Sequence, residues 1–433
     1  MHSQINRRDF LQKSAAAGLA ATLAAPGWSQ AAAKPVRLGV IGVGGRGTYL
    51  LSVALGFEGV EVPALCDINP AHLERALALV EKARGKRPAG YSAGPTDYRN
   101  LLDREDIDAV LIATPMQDHG MMSVDTLRAR KHAWSEVAAA VTLEECWALV
   151  RAAEESGRIY MLSENCCYYR QNLMVLQMLE AGLFGDLTYA ECGYVHDCRA
   201  LAFNPDGSLT WRGELARDHI GNLYPTHALG PVCQWLGIHR GDRLVSLVAS
   251  SSAAKGMARY VSKQFAPDHP GARAKFAVGD TTTTLIRTAK GAVIDLRYDT
   301  CSARPHPSTT YFTLQGVTAS YQDNGSAQQI WVEGKSPGYT WEPLSNHAAA
   351  YEHPLWKRAG AEAGKTGHGG ADYFVIAEFL DAVRSGRPAP IDACDAAAWS
   401  CIIPLSAASL RAGGAPQEIP DFTRGAWEKR VRG

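Results

Sequence analysis

An apolar run that ends in three glycines constrains the fold of this chain more than any other feature. The segment KPVRLGVIGVGGRGTYLLSVAL reads as a strand from Val36 to Val43, followed by a glycine turn and a helix. Gly42, Gly44 and Gly47 have the spacing G-x-G-x-x-G. The first glycine allows a tight turn, the second lets the backbone approach a pyrophosphate, and the third lets helix and strand pack closely. The helix N-terminus also attracts phosphate. The motif predicts a dinucleotide-binding βαβ unit.

The end of the next predicted strand indicates which dinucleotide binds. The strand VEVPALCDI ends at Asp67, 20 residues beyond Gly47. A carboxylate at this place accepts hydrogen bonds from both ribose hydroxyls and repels a 2′-phosphate. We therefore predict NAD as the cofactor, rather than NADP. The alternative for Asp67 is a role as a helix cap or turn residue.

Strands and helices continue to alternate up to about residue 165. Asp108 to Ala113 reads as a buried strand, and the helix that begins with LEEC has Thr142 and Glu145 in a capping-box arrangement. This order predicts an α/β class, with a doubly wound parallel Rossmann sheet over residues 34–165. Ligands bind at the carboxyl ends of such strands, which places TPMQDH, EVA and SEN around the cofactor.

The second half of the chain has a different pattern. From about residue 185, four segments alternate polar and apolar residues, and Lys290-Gly291 is typical of a hairpin turn. We predict a C-terminal α+β domain over residues 166–433, with an open, mainly antiparallel sheet and an amphipathic helix that ends at Gly386. The aromatic stretch 323–366 reads as a surface excursion near the cleft, with tryptophans that could stack on sugars.

The first 33 residues have the order of an export signal. Arg7-Arg8 lies in NRRDFLQK, an alanine- and leucine-rich stretch follows, and SQAAAK closes the segment. The apolar stretch is too short and too rich in alanine for a membrane span, so no stable membrane anchor is expected. Paired arginines resemble a twin-arginine signal, which exports folded proteins. We predict residues 1–33 as a signal peptide, a periplasmic or secreted location, and a cofactor loaded before export. A chance arginine pair is the alternative.

Composition excludes several other classes of protein. Lysine and arginine together number 44, as do aspartate and glutamate, so no basic footprint indicates nucleic acid. The ten cysteines form no Cys-x-x-Cys pair, and we predict that they are reduced and buried. The spacing of His196, His219 and His227 matches no common zinc pattern, so no metal is predicted.

Several motifs resemble known families. The strand end ATPMQDH, with the following strand and Thr-capped helix, resembles the glucose–fructose oxidoreductase and inositol dehydrogenase superfamily. Those enzymes usually carry Glu-Lys-Pro, with a lysine that reaches the substrate hydroxyl, where this chain has Glu136-Val137-Ala138. From about residue 36 to the C-terminus the chain resembles glycoside hydrolase family 109, the NAD-dependent α-N-acetylgalactosaminidases. The segments that carry this resemblance begin with ENCCYYRQNLM, GNLYPTHALG and HGGADYFVIAEF, and the unusual Glu-Val is shared.

The resemblance implies a set of site residues. The implied cofactor contacts are Gly45, Arg46, Asp67, Met116, Gln117, Asp118, His119, Glu136, Val137 and Asn165. The implied substrate contacts are Tyr194, Arg212, Tyr224, Pro225, Thr226 and His227. His306 stands where the family tends to have a tyrosine, and His219-Ile220 stands where an arginine is expected, so both departures fall in the presumed sugar pocket. The superfamily also implies a homodimer through the open sheet.

The implied reaction needs NAD without net oxidation. Oxidation at C3 of the sugar makes the C2 proton easier to remove, after which the C1 substituent leaves, water adds and C3 is reduced again. NAD-dependent glycosidases are an exception to the two-carboxylate mechanism. Because this cycle restores its own cofactor, it suits an enzyme in a compartment without a supply of NAD.

His227 is the first candidate for acid–base work, because histidine titrates near neutrality. Tyr224 and Tyr194 could be the C2 base or the leaving-group acid, if neighbouring charge lowers their pKa from about 10. His196 shares a strand face with Tyr194 and reads as a supporting residue. His368 could touch substrate or be a loop residue.

Two alternatives remain for the function of the whole chain. One is a conventional exported NAD-dependent sugar dehydrogenase, and the other is a carbohydrate-binding relative without turnover.

Overall fold

The computed structural model of the chain describes residues 35–305 and 309–430. The predicted export signal and His306 therefore lie outside the described residues. Two sheets make up the fold, one of six strands and one of nine.

The first sheet is parallel throughout and has the strand order β3-β2-β1-β4-β5-β6. This order confirms the predicted doubly wound Rossmann sheet. Its strands are nearly continuous apolar runs because helices cover both faces. The strands are β1 (Val36–Ile41), β2 (Val60–Cys66), β3 (Ala89–Tyr91), β4 (Ala109–Ile112), β5 (His132–Ser135) and β6 (Tyr160–Leu162).

The helices of this half follow their sequence signals. Thr142 and Glu145 form the predicted capping box at the start of the helix after β5, and Gly157 ends that helix in a left-handed conformation. The Asn69 side chain caps the helix after β2. The helices are α1 (Gly45–Ala54), α2 (Pro70–Arg84), α3 (Tyr98–Leu102), α4 (His119–Arg128) and α5 (Leu143–Ser156).

The second sheet is open and mainly antiparallel, as predicted. Its order is β14-β13-β12-β11-β7-β10-β9-β8-β15, and only the β7–β10 pair is parallel. Gly291, with φ +96°, turns the chain between β9 and β10. The strands are β7 (Leu187–Val195), β8 (Leu244–Ser251), β9 (Thr282–Thr288), β10 (Val293–Asp299), β11 (Thr310–Gly316), β12 (Ala319–Asp323), β13 (Gln328–Val332), β14 (Glu342–Pro343) and β15 (Gln417–Glu418).

Two of the remaining helices come from the C-terminal half and pack against the first sheet. The helix 371–385 ends at Gly386, as predicted, and packs on α1 and β1, while the helix 393–400 packs on α5 and β6. C-terminal residues therefore cover the first sheet. The remaining helices are α6 (Arg170–Glu180), α7 (Trp211–Asp218), α8 (Thr226–Trp235), α9 (Gly256–Gln264), α10 (Ala348–Tyr351), α11 (Pro354–Ala363), α12 (Ala371–Ser385), α13 (Ala393–Ser400) and α14 (Ile402–Arg411).

One helical run among the described residues, Ala393–Arg411, is long and apolar enough to cross a membrane by length and composition. Most of its apolar stretch, 78%, is buried inside the protein, which is the behaviour of a core helix. All ten cysteines are free, and eight of them are buried, which agrees with the prediction of reduced, buried thiols.

Candidate active site

The glycine turn after β1 has the geometry that its spacing predicts. Gly42 has φ +84°, and a Cβ there would lie 2.7 Å from the Ala113 carbonyl carbon. A Cβ on Gly47 would lie 1.8 Å from the Gly42 carbonyl oxygen, so helix and strand can pack only without a side chain. By contrast, a Cβ on Gly45 would meet nothing within 4 Å. The space above the turn is open at the N-terminus of α1, which fits a bound diphosphate.

Asp67 lies beside this turn, at the end of β2. Its Oδ2 accepts a hydrogen bond from the Val43 N–H at 2.8 Å, and its Oδ1 accepts one from the Asn69 N–H at 2.8 Å. Two backbone donors thus fix the carboxylate next to the glycine turn. A fixed carboxylate beside an open helix N-terminus fits the ribose and diphosphate of NAD, which the Rossmann half would hold here.

Several of the predicted cofactor contacts after β4 and β5 have side chains that point into the protein. His119 is 1% exposed, with Nδ1 2.8 Å from the Ala138 carbonyl oxygen and Nε2 3.0 Å from that of Thr114. Burial lowers the pKa of His119, whose ring lies between the chain segments that follow β4 and β5. The Met116 and Val137 side chains are buried as well.

Gln117 and Asp118, the other two predicted contacts after β4, are half-buried. The Gln117 side-chain amide donates to the Trp211 carbonyl oxygen at 3.4 Å, which ties the end of β4 to the start of α7. Burial raises the pKa of Asp118. Neither side chain lines the cavity described below.

Arg46 is the centre of a cluster of charged and polar side chains at the edge of the Rossmann sheet. Its guanidinium donates to Glu136 Oε1 at 3.0 Å and to both carboxylate oxygens of Asp372, at 2.8 and 3.0 Å. Asp372 also contacts His368 Nδ1 at 2.7 Å and accepts from the Asn165 amide at 3.0 Å. We call Arg46, Glu136, Asn165, His368 and Asp372 the arginine cluster. It joins the glycine turn, β5, β6 and α12.

The charges in the arginine cluster stabilise one another. Burial would raise the pKa of Asp372, but Arg46 and His368 together hold it well below its ordinary value. Burial likewise opposes the charge on Arg46, yet Glu136 and Asp372 raise the pKa of its guanidinium. The cluster is therefore an ion pair network at neutral pH.

A cavity of about 250 Å³ lies between this cluster and the second sheet. Seven residues predicted for the site line it, as does His368. These seven are Arg46, Glu136, Asn165, Tyr194, Arg212, Tyr224 and His227. The structure thus brings predicted cofactor contacts and predicted substrate contacts to one space, at the carboxyl ends of the parallel strands.

His227 projects into the cavity from the first turn of α8. Its Nδ1 lies 2.7 Å from Oε1 of Glu164, a fully buried carboxylate after β6. Burial alone would lower the pKa of His227, but Glu164 overrides it and raises the pKa well above 6.5. Glu164 Oε1 also accepts from the Cys166 N–H at 3.1 Å, which fixes its position. Glu164 therefore orients the imidazole and favours its protonated form.

Two tyrosines form the wall beside His227. The ring centroids of Tyr194 and Tyr224 lie 5.4 and 5.1 Å from that of His227, and 5.2 Å from each other. The condition for their role as base or acid, a lowered pKa, is not met, because burial raises the pKa of both phenols against the opposing effect of nearby Arg212. They are neutral hydrogen-bonding groups. Tyr194 Oη lies 3.0 Å from His196 Nδ1, as their shared strand face predicted.

Four predicted substrate-site positions do not reach the cavity. Pro225 and Thr226 are buried at the start of α8, and neither lines the cavity. His219 and Ile220 also lie off its lining. His306 falls outside the described residues, so its predicted contact stays a prediction.

The stretch 323–366 lies away from the cavity. It adds β13 and β14 to the edge of the second sheet and continues into α10 and α11. Trp356 donates its indole N–H to the Tyr168 carbonyl oxygen at 3.0 Å and packs on Phe374. The predicted role of its tryptophans against sugar is wrong, since none of them lines the cavity.

Sequence reasoning missed two carboxylates and part of the cavity wall. Glu164 lies inside the segment SEN, which was placed near the cofactor, but its pairing with His227 depends on the tertiary fold. Asp372 lies in the segment HGGAD, in which only His368 is predicted as a possible substrate contact. Trp211 lines the cavity too, with the Arg212 guanidinium 4.1 Å above its ring. Glu164, Cys166 and His227 have potential metal ligand atoms within 4.8 Å of one another, a grouping that histidine spacing alone does not reveal.

Two family models match the chain. Residues 36–164 match the oxidoreductase family with an NAD-binding Rossmann fold, and residues 168–429 match the C-terminal domain of glycosyl hydrolase 109. A glycosyl hydrolase family 109 protein of Stenotrophomonas maltophilia is 38% identical over 98% of this chain and 97% of that protein. An alpha-N-acetylgalactosaminidase of Tannerella forsythia is 35% identical over 98% of each.

Solved structures share the fold. A levoglucosan dehydrogenase in complex with NADH superposes with a TM-score of 0.69 at 21% identity, and the match covers 90% of this chain and all of that one. An aldose–aldose oxidoreductase from Caulobacter crescentus gives a TM-score of 0.62 at 15% identity, over 89% of this chain and all of that one.

Proposed function

The chain belongs to glycosyl hydrolase family 109 and is an NAD-dependent glycoside hydrolase, and we propose that it cleaves terminal α-N-acetylgalactosaminides. The substrate rests on the relative from Tannerella forsythia, whose name is alpha-N-acetylgalactosaminidase. The observation that carries the reaction is the Glu164–His227 pair, in which a buried carboxylate orients an imidazole towards a cavity beside the Rossmann strand ends. The proposed reaction is oxidation at C3, elimination, addition of water and reduction.

Bound NAD⁺ supplies the two-electron acceptor that takes a hydride from C3 and returns it at the end of the cycle. Gly42, Gly44 and Gly47 would hold its diphosphate, and Asp67 its ribose. Across the whole cycle a sugar–O–R bond and one water become a free sugar and R–OH. Atoms and electrons therefore balance without another oxidant.

Side chains of the protein stabilise the negative charge that develops on the sugar. Removal of the C2 proton places negative charge on the oxygen at C3, and a cation held in a poorly solvated site stabilises such charge strongly. We assign this role to His227, whose Nδ1 faces Glu164 and whose side chain lines the cavity. Tyr224, a neutral phenol in the same wall, is our candidate for the acid that protonates the leaving oxygen.

Val137 bears on the rival function, a conventional sugar dehydrogenase. The lysine that those enzymes use at this position is replaced by a valine whose side chain is 3% exposed. The proton acceptor of those dehydrogenases is therefore absent at this place, and because the proposed cycle also oxidises the alcohol at C3, it too must pass the C3 hydroxyl proton to another group. Such an enzyme would also consume NAD⁺ at every turnover.

A panel of aryl glycosides tests the proposal. The α-N-acetylgalactosaminide should release its phenol without net NADH, removal of NAD should stop the release, and added NAD⁺ should restore it. The β-anomer and the α-glucoside are the matched controls. Free sugar that yields NADH in proportion to product, with no glycoside cleaved, would establish the dehydrogenase instead.

We also propose that the enzyme is exported folded, with its cofactor, to the periplasm or beyond. The arginine pair Arg7-Arg8 supports this route, and ten free, mostly buried thiols suit a chain that folds in the cytoplasm. Replacement of both arginines by lysine should leave the protein in the cytoplasmic fraction. Unchanged export would contradict the twin-arginine route.

A homodimer through the open sheet is a further proposal. Leu285 on β9 and Val317 in the turn between β11 and β12 are 43% and 60% exposed, and burial of such side chains against a second copy would be favourable. Light scattering should give twice the mass of the chain, and a Leu285→Glu variant should be monomeric. A monomeric parent protein would refute this arrangement.

A further inference from the structure

Asp372 connects parts of the chain that are distant in sequence and adjacent in the site. It is fully buried in the first turn of α12, and its two oxygens contact Arg46, His368 and Asn165. Those three side chains line the cavity, whereas Asp372 lies behind them. A residue in this place can act on a ligand only through its partners.

A second contact joins the same two elements. The Tyr49 hydroxyl, on α1, accepts a hydrogen bond from the Gly367 N–H. A Cβ on Gly367 would lie 2.7 Å from that hydroxyl oxygen, so the approach needs a glycine. The chain around Gly367 and His368 thus lies against the helix that starts at the glycine turn.

We propose that Asp372 is a positioning residue for NAD: it fixes Arg46 in the orientation that retains the dinucleotide. Without Asp372, Arg46 would keep its hydrogen bond to Glu136, a 3.5 Å contact with His368 Nδ1 and its position over the Tyr49 ring. It would lose the carboxylate that accepts from two of its nitrogens. A buried carboxylate that makes several charge-assisted hydrogen bonds fixes its partners far more firmly than a surface pair does. C-terminal residues of the chain therefore complete the cofactor site of the N-terminal sheet.

The test compares the Asp372→Asn variant with Asp381→Asn on the same helix. Asp381 pairs with Arg387 and is not part of the arginine cluster. Each protein is loaded with NAD⁺ and gel-filtered, and the NAD that remains per chain is followed with time. We expect D372N to lose NAD about tenfold faster or more, the effect of one lost hydrogen bond to a charged group. D381N should match the parent protein.

Two further readouts separate positioning from general stability. The melting temperature of the NAD-free D372N protein should fall little. The NAD⁺ concentration that gives half-maximal activity should rise, whereas kcat at saturating NAD⁺ should stay close to that of the parent protein. In a background of Arg46→Gln, addition of D372N should not speed NAD loss further, because the partner is already gone.

Equal NAD loss in D372N and the parent would overturn the proposal. So would a further acceleration by D372N in the Arg46→Gln background, because Asp372 would then not act through Arg46. None of these measurements uses sugar cleavage as its primary readout. A failure of the proposed sugar substrate would therefore leave this result intact.

Discussion

The cofactor side of the active site is formed mainly by backbone, whereas the sugar side is formed by side chains. On the cofactor side, backbone from Gly42 to Gly47 forms the turn, and the absence of side chains is what makes it fit. On the sugar side, the key groups are side chains that meet across the chain: Glu164 and His227 are 63 residues apart. Damage to the first side should change folding and cofactor binding, whereas damage to the second should change chemistry in an intact protein.

Gly47→Ala should have the largest effect, because its Cβ would lie 1.8 Å from a backbone oxygen. Either α1 or β1 must move, so we expect loss of soluble folded protein, or a destabilisation of several kcal/mol (about 3 or more). Thermal unfolding measures this. Gly45→Ala is the matched control, since a Cβ there meets nothing within 4 Å and should leave the melting temperature of the NAD-free protein unchanged.

His227→Gln should break the chemistry and spare the fold. We expect kcat to fall by about 10²- to 10⁴-fold, the usual contribution of a positioned acid–base group. The NAD content and the melting temperature should stay close to the parent values. A variant that cleaves substrate at the parent rate would remove His227 from the account.

Glu164→Gln should act through His227 and show a shift in pH dependence. The Glu164 carboxylate keeps the pKa of His227 above 6.5, so the charged imidazole persists into alkaline solution. If that cation is the active form, parent activity falls as pH rises through the raised pKa. Loss of the carboxylate lowers that pKa, so the alkaline limb should move to lower pH. A profile that keeps its position would contradict the pairing.

Thr226→Val should have the smallest effect. Among the described residues, the Thr226 hydroxyl is buried with no hydrogen-bond partner, and it does not line the cavity. Valine has nearly the same shape, so kcat and KM should stay within about twofold of the parent. A larger fall in kcat/KM would show that this hydroxyl reaches the substrate after all.

The same contrast explains what could be predicted from the sequence. The turn, Asp67, the capping box at Thr142 and the six-stranded sheet all depend on neighbours in sequence, and the structure confirms their predicted geometry. The pairing of Glu164 with His227 depends on how α8 docks on β6, which no local pattern records. Residue type also could not tell that His119 faces backbone carbonyls, or that burial raises the pKa of the two tyrosines.

The family resemblance predicts the remaining site residues. It identifies segments that reach the cavity, but not which side chains within them face it. Tyr224 and His227 line the cavity, while Pro225 and Thr226, between them in sequence, do not, because the start of α8 turns their side chains inward. The sequence does not indicate a role for Asp372, because its contact with Arg46 forms only when α12 packs on α1.

The central claim is that the glycosidic bond breaks through removal and return of the C2 proton during a redox cycle without net oxidation. Hydrolysis of the α-N-acetylgalactosaminide in D₂O tests it directly, with the product sugar analysed at C2 by NMR. The account predicts deuterium at C2 of the released sugar and no accumulation of NADH. Efficient release of a sugar that keeps its original hydrogen at C2 would contradict it.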